Sequence, residues 1–366
     1  MQTHGKSTSQ FNANIHGLRG FAAFSVLVFH LYRGAITAGA GHIQGGLDFW
    51  PDDALHSLLV PAMNSLNAGI EIFFMISGFL ITSTLIRHRK VGRFLLNRAL
   101  RIYPVFLATQ ALMFTVGPIV GWSWMKSISP LEFTRNLIFN VLLLPGVFDL
   151  PMALPAAWTL SYEALFYLVA ATIFWLSKRD RPTVVWITVL LAAAFVLHRY
   201  PRGLYFFVGT AVYFMLPKLK QTTGRGLKSI PLLPLASCTG LHYLLQLKLE
   251  KTNPYAYAAI TPVGFVFFYY IVTGHGLVSR ILRHRVFQFL GTISYSLYLW
   301  QVPVMFVVKR MLLKHIGTAN SLITFYSFAL VATAASIVFS YGSYRLLEDA
   351  VPRWIKHRTR GADATA

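Results

Sequence analysis

The chain has 366 residues, of which 55% are hydrophobic and only 12% charged, and it carries a formal net charge of +21. An ordinary globular domain has about a quarter charged residues, so this composition excludes a water-soluble enzyme and points to the membrane class. The excess of Lys and Arg does not imply nucleic acid, because it stands in short clusters between apolar runs, as loops on the cytoplasmic side of a membrane do.

A crossing helix needs about 20 apolar residues. Ten such helices are expected, near residues 15–33, 66–86, 101–122, 157–177, 183–198, 203–217, 230–247, 255–274, 287–308 and 321–346. The fold class is therefore all-α, a polytopic transmembrane bundle. It forms one membrane-embedded domain over residues 1–366, with the bundle at about 15–346 and short cytoplasmic tails at 1–14 and 347–366. Cys238 is the sole cysteine, which leaves no intramolecular disulfide and no cysteine-rich metal site. No metal is expected.

The first span carries His16, Arg19 and His30. Eleven steps of about 100° bring His30 to within roughly 20° of the direction of Arg19, about 16 Å farther along the helix. Both groups then face one groove at two depths. An ionisable side chain in a helix interior costs about 3 kcal/mol on insertion scales and usually faces a bundle interior or an aqueous cavity. Snorkelling to the interfaces is the alternative. A cleaved signal peptide competes for this segment, since Lys6 and Arg19 precede an apolar run and Ala38-Gly39-Ala40 mimics a cleavage site. Multi-span proteins usually keep their first helix as an anchor, and an anchor is expected here. The loop that follows has Asp48, Asp52 and Asp53 but no Lys or Arg before Arg87, so it belongs outside.

The second span holds Asn67, Glu71 and the Ser77-Gly78 pair, whose small size admits a neighbouring helix or a ligand. The densest basic run follows, with Arg87, His88, Arg89, Lys90, Arg93 and Arg98. Arg98 and Arg101 then stand at i and i+3, before Tyr103 and Pro104, at the cytoplasmic end of the third span. Two guanidinium groups on one helix face suit bidentate clamping of a phosphate-rich ligand, and Arg19 joins them as a third. Ordinary cytoplasmic-side topology also explains them. Residues 136–148 are apolar but short, and a crossing there would invert the later basic clusters, so the segment is expected to be re-entrant or interfacial and to line a cavity.

The fourth span opens with Trp158, Ser161, Tyr162 and Glu163, its only acid. Entering from outside, it would place Glu163 near the depth of His30, where a carboxylate can orient an imidazole general base. A structural Glu bonded to a neighbouring helix is the bland alternative. Basic clusters recur at Lys178/Arg179/Arg181, Lys218/Lys220/Arg225/Lys228 and Arg280/Arg283/Arg285, and the tail has Arg353, Lys356, Arg358 and Arg360. All fit cytoplasmic termini, whereas Lys309, Arg310 and Lys314 violate the scheme. The ninth span offers hydroxyls and aromatics at Ser294, Tyr295, Ser296, Tyr298 and Trp300, with Gln301, suited either to a polar cavity or to helix-to-helix hydrogen bonds.

Taken in order, these motifs resemble acyltransferase family 3, the integral membrane carbohydrate O-acyltransferases. The motifs are Arg19 to His30, the run from Ile72 to Phe79, Arg98-x-x-Arg101 with Tyr103-Pro104, Trp158 to Glu163, and Gly291 to Leu299, and together they span nearly the whole chain. The resemblance implies a ten-helix bundle and an acyl-CoA co-substrate, acetyl-CoA being the simplest, with no permanently bound cofactor. It also implies a glycan or lipid-linked glycan acceptor at a bacterial cytoplasmic membrane. By position, His30 matches the family histidine, Arg19 its helix-one arginine, Arg98 and Arg101 its Arg-x-x-Arg pair, and Glu163 its helix acid. Many relatives have Asp where His16 stands and His where Gln301 stands. Gln301 cannot transfer protons, so it is at most a hydrogen-bond contact.

The mechanism so implied has the donor phosphates on Arg19, Arg98 and Arg101 and the pantetheine arm threading toward His30. His30 deprotonates the acceptor hydroxyl with Glu163 orienting it. Ser77, Tyr103, Trp158, Ser161, Tyr162, Ser294, Tyr298 and Gln301 are candidate acceptor or oxyanion contacts. A transporter of glycans or lipid-linked intermediates is the rival reading, with the same buried ionisable groups lining a substrate path. A structural scaffold is a third reading, and it leaves the shared face of Arg19 and His30 unexplained.

Overall fold

In hydrocarbon an apolar segment must satisfy its own backbone, and a helix is the form in which a single segment does so. Helices dominate the computed structural model, which describes residues 12–36, 62–88, 90–126, 128–179, 181–222, 254–274, 276–316 and 322–355. In chain order they are α1 (Ala13–Ile36), α2 (Gly69–His88), α3 (Val91–Val120), α4 (Pro130–Val141), α5 (Trp158–Ser177), α6 (Pro182–Arg199), α7 (Leu204–Thr222), α8 (Pro254–Thr273), α9 (Gly276–Leu282), α10 (Arg285–Ile316) and α11 (Leu322–Ser343). A π-helical turn, Tyr344–Ala350, continues α11.

Among the described residues, 7 helical stretches are long and apolar enough to cross a membrane: Ala13–Arg33, Ala62–Arg87, Val91–Val120, Pro155–Ser177, Pro182–Arg199, Arg285–Leu312 and Tyr326–Ile355. Tyr257–Thr273 of α8 and Gly276–Leu282 of α9, bent by 65° at the break between them, pass the same measure only when taken together, as a broken span or a re-entrant loop. The expected span at 203–217 is present as α7, but Lys218 and Lys220 in its last turns keep it short of that measure. The expected span at 230–247 lies outside the described residues, with Cys238, the acidic loop at Asp48 to Asp53 and most of both tails. The chain is thus an all-α polytopic bundle.

Glycine brings the central helices together. A Cβ added at Gly20 would lie 2.3 Å from the Phe287 carbonyl oxygen, and one at Gly291 would lie 2.3 Å from that of His16. So α1 lies against α10 at backbone contact, and the successive pairs His16 with Gln288 and Gly20 with Gly291 show that the two run in the same direction. Likewise Gly78 of α2 and Gly209 of α7 abut the backbone at Phe206 and Met75. Small residues permit this approach, and dispersion between the closely packed helices then stabilises the pairs. The bend between α8 and α9 uses Gly274 and Gly276, with φ of 79° and 85°, a region that other residues adopt at a cost. Asn12 and Asn14 at the start of α1 satisfy carbonyls at the end of α8, donating to Val272 O at 3.2 Å and Ile271 O at 3.0 Å.

One boundary differs from expectation and one short segment keeps to it, and both matter for the site. Helix α3 starts at Val91, ten residues before the expected 101, so Arg98 and Arg101 sit inside a helix rather than at its lip. Its 30 residues rise about 45 Å, more than the ~30 Å hydrocarbon core, so the basic first turns extend past the apolar layer. The segment expected to be re-entrant or interfacial comprises the end of α4, too short at 12 residues to cross, and the turn after it. That turn reverses through Leu143 and Gly146, at φ of 57° and 98°. Its non-helical backbone is bonded within the protein. Asn140 accepts from Ala153 N at 2.9 Å and donates to Pro151 O at 2.9 Å, and the Trp122 and Trp124 indoles each donate at 3.0 Å, to Ala153 O and Met152 O.

Because this turn folds inward, α5 begins partway along the bundle. Thr159, in the first turn of α5, donates to the Tyr298 hydroxyl at 2.9 Å, and Tyr298 is about 20 Å from the Arg285 end of α10.

Candidate active site

That starting depth decides where Glu163 goes. One turn beyond Thr159, it reaches the level of the arginines rather than that of His30. A narrow cavity of about 70 Å³ inside the bundle is lined by Arg19 of α1, Ser77 of α2, Arg98 and Arg101 of α3, Glu163 and Tyr167 of α5, and Ser294, Tyr295 and Tyr298 of α10. Five helices each contribute a polar group, and their own packing holds the groups in place. Apart from Thr159, the rest of the cavity wall is apolar, formed by Phe73, Phe74, Ile76, Leu80, Ile102 and Leu160 among others.

Glu163 Oε1 accepts from Ser77 Oγ at 2.6 Å and from the Tyr167 hydroxyl at 2.6 Å. Arg98 lies over the rings of Phe94 and Tyr167, 5.5 and 5.6 Å from their centroids, and donates to Thr84 Oγ1 at 3.3 Å. Arg19 feels the charges of Arg101, Glu348, Glu163 and Arg98. Yet neither Arg19 nor Arg101 makes a hydrogen bond or ion pair among the described residues, although each guanidinium carries five donors. Two such forks facing a cavity, with a third braced on aromatic rings, have the chemistry that suits an anion.

The remaining sequence-derived residues fall into three places. Ser77, Ser294 and Tyr298 line the cavity as expected. Ser161 is occupied elsewhere, its hydroxyl donating to Pro145 O and pinning the inward turn. Trp158 and Tyr162 belong to an aromatic cluster with Tyr200, at centroid distances of 4.8 and 4.6 Å, and Tyr103 packs edge-on against Phe106 at 6.1 Å. Gln301 is buried, donates to Tyr298 O at 3.1 Å and does not line the cavity. His30, half-buried with the Phe29 ring 5.4 Å away, also lies off the cavity lining. The expected pairing of Glu163 with His30 is therefore corrected. The carboxylate bonds Ser77 and Tyr167 because the inward turn lowers α5.

Three polar features escaped the sequence. Glu348, in the π-helical turn, accepts from the Ser296 hydroxyl at 2.6 Å and the Ser296 N–H at 3.1 Å and exerts its charge on Arg19 and Arg101. A bundle drawn to end at 346 left it in a tail, whereas an acid within reach of an apolar helix end was the available signal. Tyr167 reads as one more aromatic in an apolar helix until its hydroxyl meets Glu163. Buried Glu71 forms a bidentate pair with Arg202, whose Nη2 donates to Oε2 at 2.8 Å, and Arg202 also stacks over Trp158 at 5.7 Å.

Fold and site together define a multi-pass integral membrane protein that keeps a cationic, carboxylate-bearing cavity within its bundle. The chain belongs to the family described as an acyltransferase domain, whose profile matches residues 12–344. It is 21% identical to the peptidoglycan O-acetyltransferase of Listeria monocytogenes, over 92% of this chain and 55% of that protein. A putative peptidoglycan O-acetyltransferase of Bacillus subtilis is 24% identical over 82% of this chain and 50% of its own length. Nodulation protein 10 of Rhizobium leguminosarum is 27% identical over 42% of each. The chain thus spans about half the length of the curated relatives it matches. No solved structure matches it.

Proposed function

We propose that the protein transfers an acyl group, acetyl in the simplest case, from a coenzyme A thioester to a hydroxyl of a glycan, with the phosphates of the donor held by Arg19, Arg98 and Arg101. The single observation that carries this reading is the gathering of three guanidinium groups from two helices, two of them unengaged, in one buried cavity. The family match and the O-acetyltransferase names of two relatives support the reaction class. The positive-inside bias supports a cytoplasmic face for the arginine end, both termini on that side and, for a bacterial protein, the cytoplasmic membrane.

In this mechanism His30 is the general base, placed about 16 Å beyond Arg19 along α1, a distance the pantetheine arm covers. The acceptor oxygen attacks the thioester carbonyl and its proton passes to His30. The carbon–sulfur bond breaks as the ester bond persists, and the proton moves on to the departing thiolate. Glu163 serves the donor end, where it tempers the arginine cluster and orients Tyr167 and Ser77. Direct transfer through the bundle needs no acyl-enzyme, because both substrates reach the imidazole from opposite ends.

The test is turnover of acetyl-CoA by the purified protein with a panel of glycans. Acceptor-dependent release of free coenzyme A, reduced about 10²- to 10⁴-fold in His30→Ala with donor binding retained, is the expected result. Full activity in His30→Ala would remove the base assignment. Failure of acetyl-CoA to bind wild-type protein would remove the donor.

A further inference from the structure

At the depth of His30 the bundle buries two carboxamides that its own helices leave short of partners. His16 Nε2 of α1 donates to Gln288 O of α10 at 3.1 Å, and the two helices run in the same direction from there. His30 is 14 residues past His16 and Gln301 is 13 past Gln288, rises of about 21 Å and about 20 Å, so the two reach one level. Helix α3 runs beside α10 in that direction too. The Tyr295 hydroxyl donates to Ile102 O at 2.8 Å, Met113 and Pro303 line one groove, and the Trp122 and Phe306 rings meet at 5.0 Å. Gln110, one turn before Met113, therefore stands beside the turn of α10 that carries Gln301.

Gln110 is 1% exposed and Gln301 is fully buried. Gln301 Nε2 donates to Tyr298 O at 3.1 Å, but among the described residues its Oε1 has no hydrogen-bond partner, and neither Oε1 nor Nε2 of Gln110 has one. A carboxamide that serves structure behaves differently: Asn140 of α4 donates to Asn136 O and Pro151 O and accepts from Ala153 N. A buried donor or acceptor left unpaired is destabilising and uncommon, so these three atoms point to a molecule that pairs them when it binds. Their chemistry says what it offers. Gln110 presents a donor and an acceptor side by side, which one hydroxyl or two neighbouring hydroxyls match, and Gln301 Oε1 asks for a donor. An oxyanion would match the Gln110 N–H alone, and a phosphate would leave both amide oxygens unpaired. The arginine cavity ends at Thr159 and Tyr298, one turn before Gln301, so the carboxamides stand beyond the donor end.

We infer that Gln110, assisted by Gln301, reads a free hydroxyl adjacent to the one that is acylated, and so decides which sugars the protein accepts. The inference rests on the transferase reading and adds to it the residue that selects the acceptor. A site built to hydrogen-bond a hydroxyl discriminates strongly against the analogue that lacks it, because the buried polar atoms of the site are then left unpaired. A neutral amide suits this task in an apolar bundle, since it reads position and number of hydroxyls without burying a charge.

Methyl hexosides and their monodeoxy analogues test this on the purified full chain with acetyl-CoA as donor. Wild type should favour a parent hexoside about 10²-fold in kcat/KM over the analogue that lacks one hydroxyl adjacent to the acylated one. In Gln110→Met, which keeps the length of the side chain and removes both polar atoms, parent and analogue should become alike within about threefold, through loss on the parent. In thermal unfolding of the same variant the midpoint rise given by acetyl-CoA should be kept and that given by the parent hexoside lost. Equal loss on the parent and on every analogue would make Gln110 a structural residue, and discrimination that survives in Gln110→Met would remove it from recognition; either overturns the proposal. Should Gln110→Met fail to fold, wild type decides, since a series in which no monodeoxy analogue is disfavoured overturns it as well. Absence of transfer to every hexoside would instead sink the transferase reading, and the wild-type midpoints then decide the carboxamides alone. A rise with the parent that one analogue fails to give upholds them, and no rise with any hexoside overturns them.

Discussion

Arg19 and Arg202 are both buried-bundle arginines, and what each touches separates their roles. Arg202 is bonded in a fork to Glu71 and lies over Trp158, so its charge is balanced within the protein. Breaking such a buried pair by removing one partner costs about 3–5 kcal/mol. Glu71→Gln should therefore lower the unfolding midpoint sharply, as read by thermal denaturation in detergent, and Glu71→Gln combined with Arg202→Met should recover part of the loss. Arg19 and Arg101 make no hydrogen bond or ion pair among the described residues, and in the proposed mechanism their donors serve the ligand. Arg101→Lys keeps the charge but gives up the planar fork, so donor affinity should fall about tenfold with little change in melting temperature, measured by titration with acetyl-CoA. The sequence sets Arg19 among candidate phosphate ligands but does not show that Arg202 is balanced, because its partner Glu71 lies 131 residues away in the chain.

At the scale of elements, helix contacts rest on glycines whose neighbours can be named. Gly20→Ala would push its methyl to 2.3 Å from the Phe287 carbonyl, so α1 must separate from α10. Because Arg19 and Ser294 are carried by those two helices, that variant should lose both thermal stability and donor binding. Gly342→Ala in α11 meets nothing within 4 Å and should be neutral or slightly stabilising, since alanine is favoured over glycine in a helix by about 1 kcal/mol. Melting curves of the two variants side by side check the pair. The inward turn is the other element that matters. Its backbone bonds to Asn140, Trp122, Trp124 and Ser161 set the depth at which α5 starts, and thereby the company that Glu163 keeps.

Across the whole molecule, the arginine cluster and His30 occupy two levels of one bundle, which makes the proposed reaction directional. In proteoliposomes of uniform orientation, acetyl-CoA supplied at the arginine end with acceptor at the other end should give product. The reversed arrangement should give little. Product that forms equally in both arrangements would show that donor and acceptor share one entrance.

Much of this architecture was legible in the sequence, because hydrocarbon imposes a simple rule on a backbone. Long apolar runs must be helices, charge clusters must lie between them, and a 12-residue helix cannot cross. Arg19 and His30 could be set on one face from helical periodicity alone, and Arg98 and Arg101 could be paired by their spacing. Contacts between helices obey no such local rule. That Arg19 and Arg101 line one cavity, that Glu163 bonds Ser77 rather than serving His30, and that Glu348 reaches back to Ser296 were decided only by tertiary structure. The depth of each helix is set by how its connecting turn packs, and a sequence records the turn without recording what it packs against.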